Sequence, residues 1–190
     1  MGALHLTLAS ASPRRRDLLA RLGLEPDAVS PADIDETPLP RERPRDYALR
    51  MGREKALAVE APGFVLAGDT VVAAGNRILP KTEDEAEARE CLELLSGRRH
   101  SVLSSVVLRA PDGILRERLN ENIVRFKNLS REEIDSYIAG GEWRGKAGGY
   151  AIQGQAEALI QWMRGSHSGV MGLPLYETRA LLKAAGFRLA

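Results

Sequence analysis

Leu4, Leu6 and Leu8 alternate with His5 and Thr7 at the start of the chain, a period of two that predicts a strand. Ser12-Pro13 then supplies an N-cap and a first-turn proline, and the helix predicted after it carries Leu18, Leu19 and Leu22 before Gly23 ends it. Residues 24 to 45 are rich in proline and aspartate and predict a loop, with a short strand near Val29. Long loops in compact domains are often functional, so this is the place to expect a mobile segment. Helical periodicity returns over residues 46 to 60.

Phe64 to Ala67 and Val71 to Ala74 are apolar runs on either side of Gly68-Asp69-Thr70, and Gly75-Asn76 predicts a hairpin turn into Arg77-Ile78-Leu79. Thr82 and Glu85 have the spacing of a capping box, ahead of a helix with Ala88, Cys91, Leu92 and Leu95 on one face and Gly97 at its end. Two long strands are predicted around Pro111-Asp112-Gly113, over Val102 to Leu108 and Ile114 to Phe126. Ser130 and Glu133 make a second capping box, and that helix stops at Gly140-Gly141. A glycine-rich stretch, 145 to 154, leads to a short apolar segment near Leu159-Ile160, and Leu173-Pro174 opens a last helix that Gly186 closes. Hairpins alternate with crossovers, so the expected architecture is an α/β fold with a mixed sheet flanked by helices. No repeat or long linker divides it, which makes residues 1–190 one domain in expectation.

Composition narrows the function. A chain with 44% hydrophobic and 28% charged residues can bury a core and is not disordered. Lys plus Arg is 27 against 26 Asp plus Glu, a net charge of +1, and aromatics are only 5%. That balance lacks both the basic field and the stacking residues of a nucleic-acid binder. No apolar stretch approaches the roughly 20 residues of a membrane span. The single cysteine, Cys91, excludes an internal disulfide and a cysteine-cluster zinc site, and the three histidines form no H-E-x-x-H. The expectation is a soluble, reduced, cytoplasmic protein.

Three placements ask for an explanation. Arg14-Arg15-Arg16 crowds cations into the first turn of a helix, where the macrodipole already carries positive charge. A bound phosphate would resolve this by taking both the free N–H groups and the guanidinium forks; the alternative is a solvated basic turn. Asp69 sits between two apolar runs, so a metal, a cation or a catalytic task must compensate its burial, unless it is a turn aspartate held by local N–H groups. Lys81 stands at a strand-to-helix junction, and Lys55, flanked by helix formers, reads in isolation as a plain surface lysine. With Asp33, Asp35 and Glu36 in the loop, the inventory suits a metal–triphosphate: cations for the phosphates and carboxylates for Mg²⁺. Gly140 to Lys146 imitates a P-loop, but Ala147 replaces the metal-binding hydroxyl and a helix precedes it, so the match is rejected. Those glycines instead suit close backbone packing, and Trp143, Trp162 and Cys91 suit the core.

Taken in order, these segments resemble the Maf family of nucleoside triphosphate pyrophosphatases. The resemblance rests on Leu8-Ala9-Ser10-Ala11-Ser12-Pro13-Arg14-Arg15, Ile34-Asp35-Glu36, Glu54-Lys55-Ala56 and Gly68-Asp69-Thr70-Val71-Val72. It continues through Leu95-Ser96-Gly97-Arg98-Arg99-His100, Lys146-Ala147-Gly148-Gly149-Tyr150-Ala151-Ile152-Gln153-Gly154 and Gly172-Leu173-Pro174-Leu175. It implies an inosine triphosphatase-like fold with two lobes around a cleft, and a homodimer. The implied reaction is hydrolysis of a nucleoside triphosphate to monophosphate and pyrophosphate with Mg²⁺ or Mn²⁺. The resemblance makes Asp69 the proton acceptor, Ser10, Arg15, Lys55 and Lys81 phosphate-handling groups, and Glu36 with Asp69 the metal carboxylates. The family has also been linked to septum formation, which leaves a nucleotide-binding regulator as an alternative.

Three positions separate the family's branches. Arg14, Thr70 and Gln153 match the branch associated with dTTP and UTP; the branch associated with 7-methyl-GTP has Trp, Gln and Glu there. The chemistry of Gln153 agrees. Uracil and thymine present an acceptor at O4 beside a donor at N3, and an amide complements both. A backbone-capping amide is the plainer alternative for Gln153. Around the second lysine the chain reads Leu79-Pro80-Lys81-Thr82 where the family pattern has L-G-K-P.

Overall fold

The structure, a computed structural model, describes residues 5–189; Leu4 of the first predicted strand lies outside them. The first half runs β1 (Leu6–Leu8), α1 (Pro13–Ala20), β2 (Ala28–Val29), α2 (Pro44–Ala58), β3 (Phe64–Ala74), β4 (Arg77–Leu79) and α3 (Glu85–Leu95). The second half runs β5 (Arg99–Arg109), β6 (Leu115–Phe126), α4 (Arg131–Gly140), a 3₁₀ turn (Gln155–Leu159), β7 (Ile160–Arg164), α5 (His167–Met171) and α6 (Leu175–Ala184).

All seven strands join one sheet, ordered β2-β1-β3-β5-β6-β7, with β4 beside β3. β1 runs parallel to β2 and β3, and the other pairings are antiparallel. The mixed sheet flanked by helices is therefore present. Gly68-Asp69-Thr70, which divides two apolar runs in the sequence, does not divide the strand. β5 pairs straight through it, with Asp69 opposite Ser105 and Thr70 opposite Ser104.

The other edge of β3 is shared by two short strands. β1 pairs with Phe64 to Leu66 and β4 with Val72 to Ala74. Between them, residues 67 to 71 have no strand alongside on that edge, so the sheet opens at its middle. Strand alternation sends neighbouring side chains to opposite faces. Val65, Ala67 and Val71 pack with residues of α2, such as Tyr47, Met51 and Ala56. Leu66 and Val72 pack into the larger core, which also takes residues of α1, α3, α4, α5 and α6. Asp69 follows the first set and Thr70 the second.

Several local predictions need correction. Thr82 does not cap α3; Asp84 is the N-cap, and its carboxylate accepts the Glu87 N–H at 2.9 Å. Ser12 occupies the N-cap of α1, but its side chain makes no capping bond. Trp143 is fully buried as expected, whereas Trp162 is exposed on β7 with the Arg99 guanidinium 5.2 Å from its ring centroid. α5 has no counterpart in the sequence reading: its five residues are too few for apolar periodicity to register. The capping box at Ser130 and Glu133 is present, and Gly141 closes α4 in the left-handed conformation.

Thr82 instead fastens two loops together. Its hydroxyl donates to the Trp143 carbonyl at 2.8 Å, its N–H to the Lys146 carbonyl at 3.1 Å, and its own carbonyl accepts the Gly145 N–H at 2.9 Å. The Gly148 N–H adds a bond to the Pro80 carbonyl at 2.9 Å. A side chain at Gly148 would meet Val72 at 2.7 Å, and its φ is +67°, so glycine is required for this approach. Thr82→Val keeps the shape but removes the hydroxyl's bond to the Trp143 carbonyl, which keeps only the Lys146 N–H at 3.0 Å. We expect it to lower unfolding stability by about 0.5–1.5 kcal/mol in urea titration; an unchanged midpoint would show that the hydroxyl does not hold the loops.

Candidate active site

A cavity of ≈ 620 Å³ opens at the free edge of β3. Ser10, Arg14, Arg15, Glu36, Lys55, Asp69, Thr70, Lys81 and Gln153 all line it, so the structure brings together the nine residues that the family resemblance singles out. They come from separate places in the chain: the β1–α1 turn and the first turn of α1, the loop before α2, α2 itself, β3, and the loops on either side of the Thr82 contacts.

Lys55 is a buried lysine of α2, not a surface one. Its ammonium lies 2.7 Å from Asp69 Oδ1 and 2.7 Å from Glu36 Oε1. Burying an unpaired carboxylate would be costly, and this shared cation compensates Asp69. The local alternative of a turn aspartate therefore falls. Glu36 also meets the Lys81 ammonium. Burial opposes the charge on Glu36, but hydrogen bonds from Lys55 and Lys81 outweigh it and hold the carboxyl at about 2. Asp33 and Asp35 are exposed and do not reach the cavity.

On the other face of β3, Arg15 is anchored. Its Nε donates to the Gly172 carbonyl at 2.9 Å, Nη1 to Ser10 Oγ at 2.9 Å and Nη2 to Thr70 Oγ1 at 3.3 Å. Three of the five guanidinium hydrogens are thus taken up by protein. Thr70 shares its hydroxyl with Ser104 at 3.0 Å, and Ser104 donates to the Gly169 carbonyl at 2.6 Å. Burial lowers the proton affinity of Arg15, against the pull of Asp69 and Glu36. Among the described residues Arg14 and the Gln153 amide make no hydrogen bond, so Gln153 is not a capping amide. Arg16 is exposed and outside the cavity.

The residue reading gave Arg144, Lys146 and Tyr150 no part in the site, yet all three line the cavity. Arg144 stacks on Trp143 with its guanidinium 4.6 Å from the ring centroid. Lys146 donates to the Arg144 carbonyl at 2.8 Å, and burial followed by the Arg14 charge lowers its proton affinity. The rejected P-loop match contains Lys146; its signal was the cation itself, whose place beside Lys81 depends on the Thr82 contacts. With them the cavity holds six cationic side chains and two carboxylates, a balance that selects polyanions.

An open mixed sheet with a polycationic cleft at its interrupted edge defines an anion-binding α/β protein. The Maf-like protein family matches residues 5–185, and the chain belongs to that family. It is 67% identical over 185 residues to a dTTP/UTP pyrophosphatase of Novosphingobium aromaticivorans, covering 96% of this chain and 92% of that protein. It is 61% identical over 186 residues to a dTTP/UTP pyrophosphatase of Rhodospirillum rubrum, covering 96% and 89%. Among solved structures, a HAM1 protein from Coxiella burnetii is similar in fold, with a TM-score of 0.51 and 18% identity over 95% of this chain and 99% of that one. Among the described residues no helix is long and apolar enough to cross a membrane.

Behind Tyr150, its hydroxyl pairs with the buried His100 Nε2 at 2.7 Å, and His100 stacks on Phe126. Burial drives the imidazole down to about 4, well below its ordinary value of 6.5. The unfolded chain therefore binds a proton that the native state refuses, and stability is lost as pH falls from 6.5 towards 4. By pH 5 the loss is about 2 kcal/mol from this group. The window lies above that of Glu36, whose contribution is lost below its ordinary value of 4.5. Equilibrium unfolding at pH 7 and pH 5 should show the drop, and His100→Gln should remove most of it; an equal drop in the variant would place the titrating group elsewhere.

Proposed function

We propose that this chain hydrolyses dTTP and UTP to the nucleoside monophosphate and pyrophosphate. The observation that carries the reading is the Lys55 ammonium held between Asp69 and Glu36 inside a polycationic cleft. The names of relatives at 67% and 61% identity support the substrates.

Asp69 takes the proton of the attacking water. Its Oδ1 is held by Lys55 and its N–H by Ser105 Oγ at 3.1 Å, which fixes the carboxylate and leaves Oδ2 for the water. A bond forms from the water oxygen to the α-phosphorus, and the α–β bridging bond breaks to release pyrophosphate. Lys55, Lys81 and Arg14 neutralise the phosphates, with Ser10 and the remaining Arg15 hydrogens beside them. Gln153 pairs with O4 and N3 of the pyrimidine, and Thr70 influences the site through Arg15.

The donor set fits a divalent metal that arrives with the triphosphate. Asp69 and Glu36 flank the Lys55 ammonium, each with a second carboxylate oxygen, and no cluster of three or more His, Cys, Asp or Glu side chains is found among the described residues. Mg²⁺ commonly uses one or two carboxylates together with substrate phosphates. When bound, Mg²⁺ or Mn²⁺ would supply charge neutralisation at the phosphates, with Glu36 and Asp69 as its protein ligands. We further propose one domain over 1–190, a homodimer as the resemblance implies, and a cytoplasmic location, which the lone buried cysteine and a nucleotide substrate both support.

Pyrophosphate release across dTTP, UTP, CTP, GTP and 7-methyl-GTP, with Mg²⁺ or Mn²⁺, tests the reading. Turnover is expected for dTTP and UTP. Activity centred on 7-methyl-GTP would keep the reaction and overturn the base assignment, and binding without turnover would favour the regulator. Asp69→Asn should lower turnover by at least about 100-fold while triphosphate binding persists; near-wild-type turnover would remove Asp69 from the mechanism. Gln153→Glu should cost about 1–3 kcal/mol in kcat/KM for both pyrimidines, and unchanged kinetics would make Gln153 structural.

A further inference from the structure

Glu36 lies within residues 30–43, a stretch without helix or strand, yet its carboxylate meets both Lys55 and Lys81. Fixing such a loop costs conformational entropy, so something must hold it. The sequence marks this region as the place for a mobile segment. The structure instead shows it tied to α2 on both sides of Glu36.

The ties are specific. Ile34 packs against the cluster of Tyr47, Ala48 and Met51. The Tyr47 hydroxyl donates to the Glu36 carbonyl at 2.7 Å. Arg50 Nη2 donates to the Thr37 carbonyl at 3.1 Å, and Arg50 grips Glu42 through Nε and Nη2, both at 2.7 Å. Glu42 in turn accepts the Leu39 N–H at 2.9 Å. Within the loop, the Thr37 N–H bonds to Asp35 Oδ1 at 2.8 Å, a turn centred on Glu36. Tyr47 and Arg50 are three residues apart on one helix face, with the guanidinium 5.5 Å from the ring centroid. Lys55 extends from the same helix two turns further on.

We propose that Tyr47 and Arg50 are positioning residues for the metal carboxylate Glu36. They clamp the backbone carbonyls of Glu36 and Thr37 to α2, the helix that also carries Lys55. One rigid element thereby sets the distance between the carboxylate and the ammonium it must share with a metal–triphosphate. The phenol suits this role because it keeps its proton at neutral pH and so stays a donor to the Glu36 carbonyl. Neither side chain touches the reacting atoms. Both act through Glu36, so the inference rests on the role given to Glu36 above.

The test is Mn²⁺ binding to the full-length protein with a non-hydrolysable α,β-imido dTTP, followed by electron paramagnetic resonance, alongside kcat and KM for dTTP. Tyr47→Phe and Arg50→Gln should each weaken Mn²⁺ binding by roughly 10-fold, as loss of an outer-shell partner does. Arg50→Lys should recover part of the loss, and kcat at saturating metal should fall less than the metal affinity. On a Glu36→Gln background the two substitutions should add nothing further. If Glu36→Gln weakens Mn²⁺ binding but Tyr47→Phe and Arg50→Gln do not, the positioning role is overturned and Glu36 keeps its place. If Glu36→Gln itself leaves Mn²⁺ binding unchanged, the role of Glu36 fails and the positioning role with it. Additive losses on the Glu36→Gln background would show that the two residues support the fold and not the carboxylate. Tyr47→Phe preserves packing, so the test stands even where Arg50→Gln folds poorly.

Discussion

One ammonium group, that of Lys55, makes the central arrangement possible. Asp69 is buried in the middle of a long strand, where a lone carboxylate would be expelled or neutralised. Lys55 reaches it from α2 at 2.7 Å and holds Glu36 at the same distance. Each partner alone would be a liability, and together they place two carboxylates and a cation on the wall of the cleft. The packing of α2 on the β3 face, through Tyr47, Met51 and Ala56, is therefore also what assembles the site.

The sheet contributes an interruption. Because β1 and β4 each cover only one end of a β3 edge, residues 67 to 71 stay open between them. Alternation along the strand then divides the labour. Asp69 faces α2 and its lysine, while Thr70 faces Arg15, Ser104 and the far side of the cleft. Adjacent residues thus serve different partners, as a period of two requires. A continuous β1 would have paired this edge and closed the cavity.

Opposite β3, the cleft depends on two loops that are held together by backbone hydrogen bonds and by the Thr82 hydroxyl. Thr82 joins the strap bearing Lys81 to the segment bearing Arg144, Lys146 and, further along, Gln153. The groups proposed for the phosphates and for the base are thereby held in one frame. Pro80, where the family pattern has glycine, is compatible with this because only its carbonyl is used, by the Gly148 N–H.

Apolar periodicity and turn residues determined most of the elements, since these are local properties: the long strands around Pro111-Asp112-Gly113, the hairpin at Gly75-Asn76 and the helix capped by Ser130 all stand where the pattern puts them. Arg14 and Asp69 were also legible, as charges placed where local physics disfavours them, and Lys81 was legible by its place at a strand-to-helix junction. Their partnership was not. Lys55 looked like a surface lysine because its burial depends on α2 crossing a strand whose side chain supplies the counter-charge. Thr82 looked like a helix cap because its spacing satisfied a local rule, while its hydroxyl was taken by a carbonyl 61 residues away. Trp162 looked like core because size alone does not say which strand is at the sheet edge. The loop carrying Glu36 looked mobile because its restraints, Tyr47 and Arg50, sit on a later helix. Local preference is written residue by residue, but which groups compensate one another's charge and polarity was decided only when the chain closed on itself.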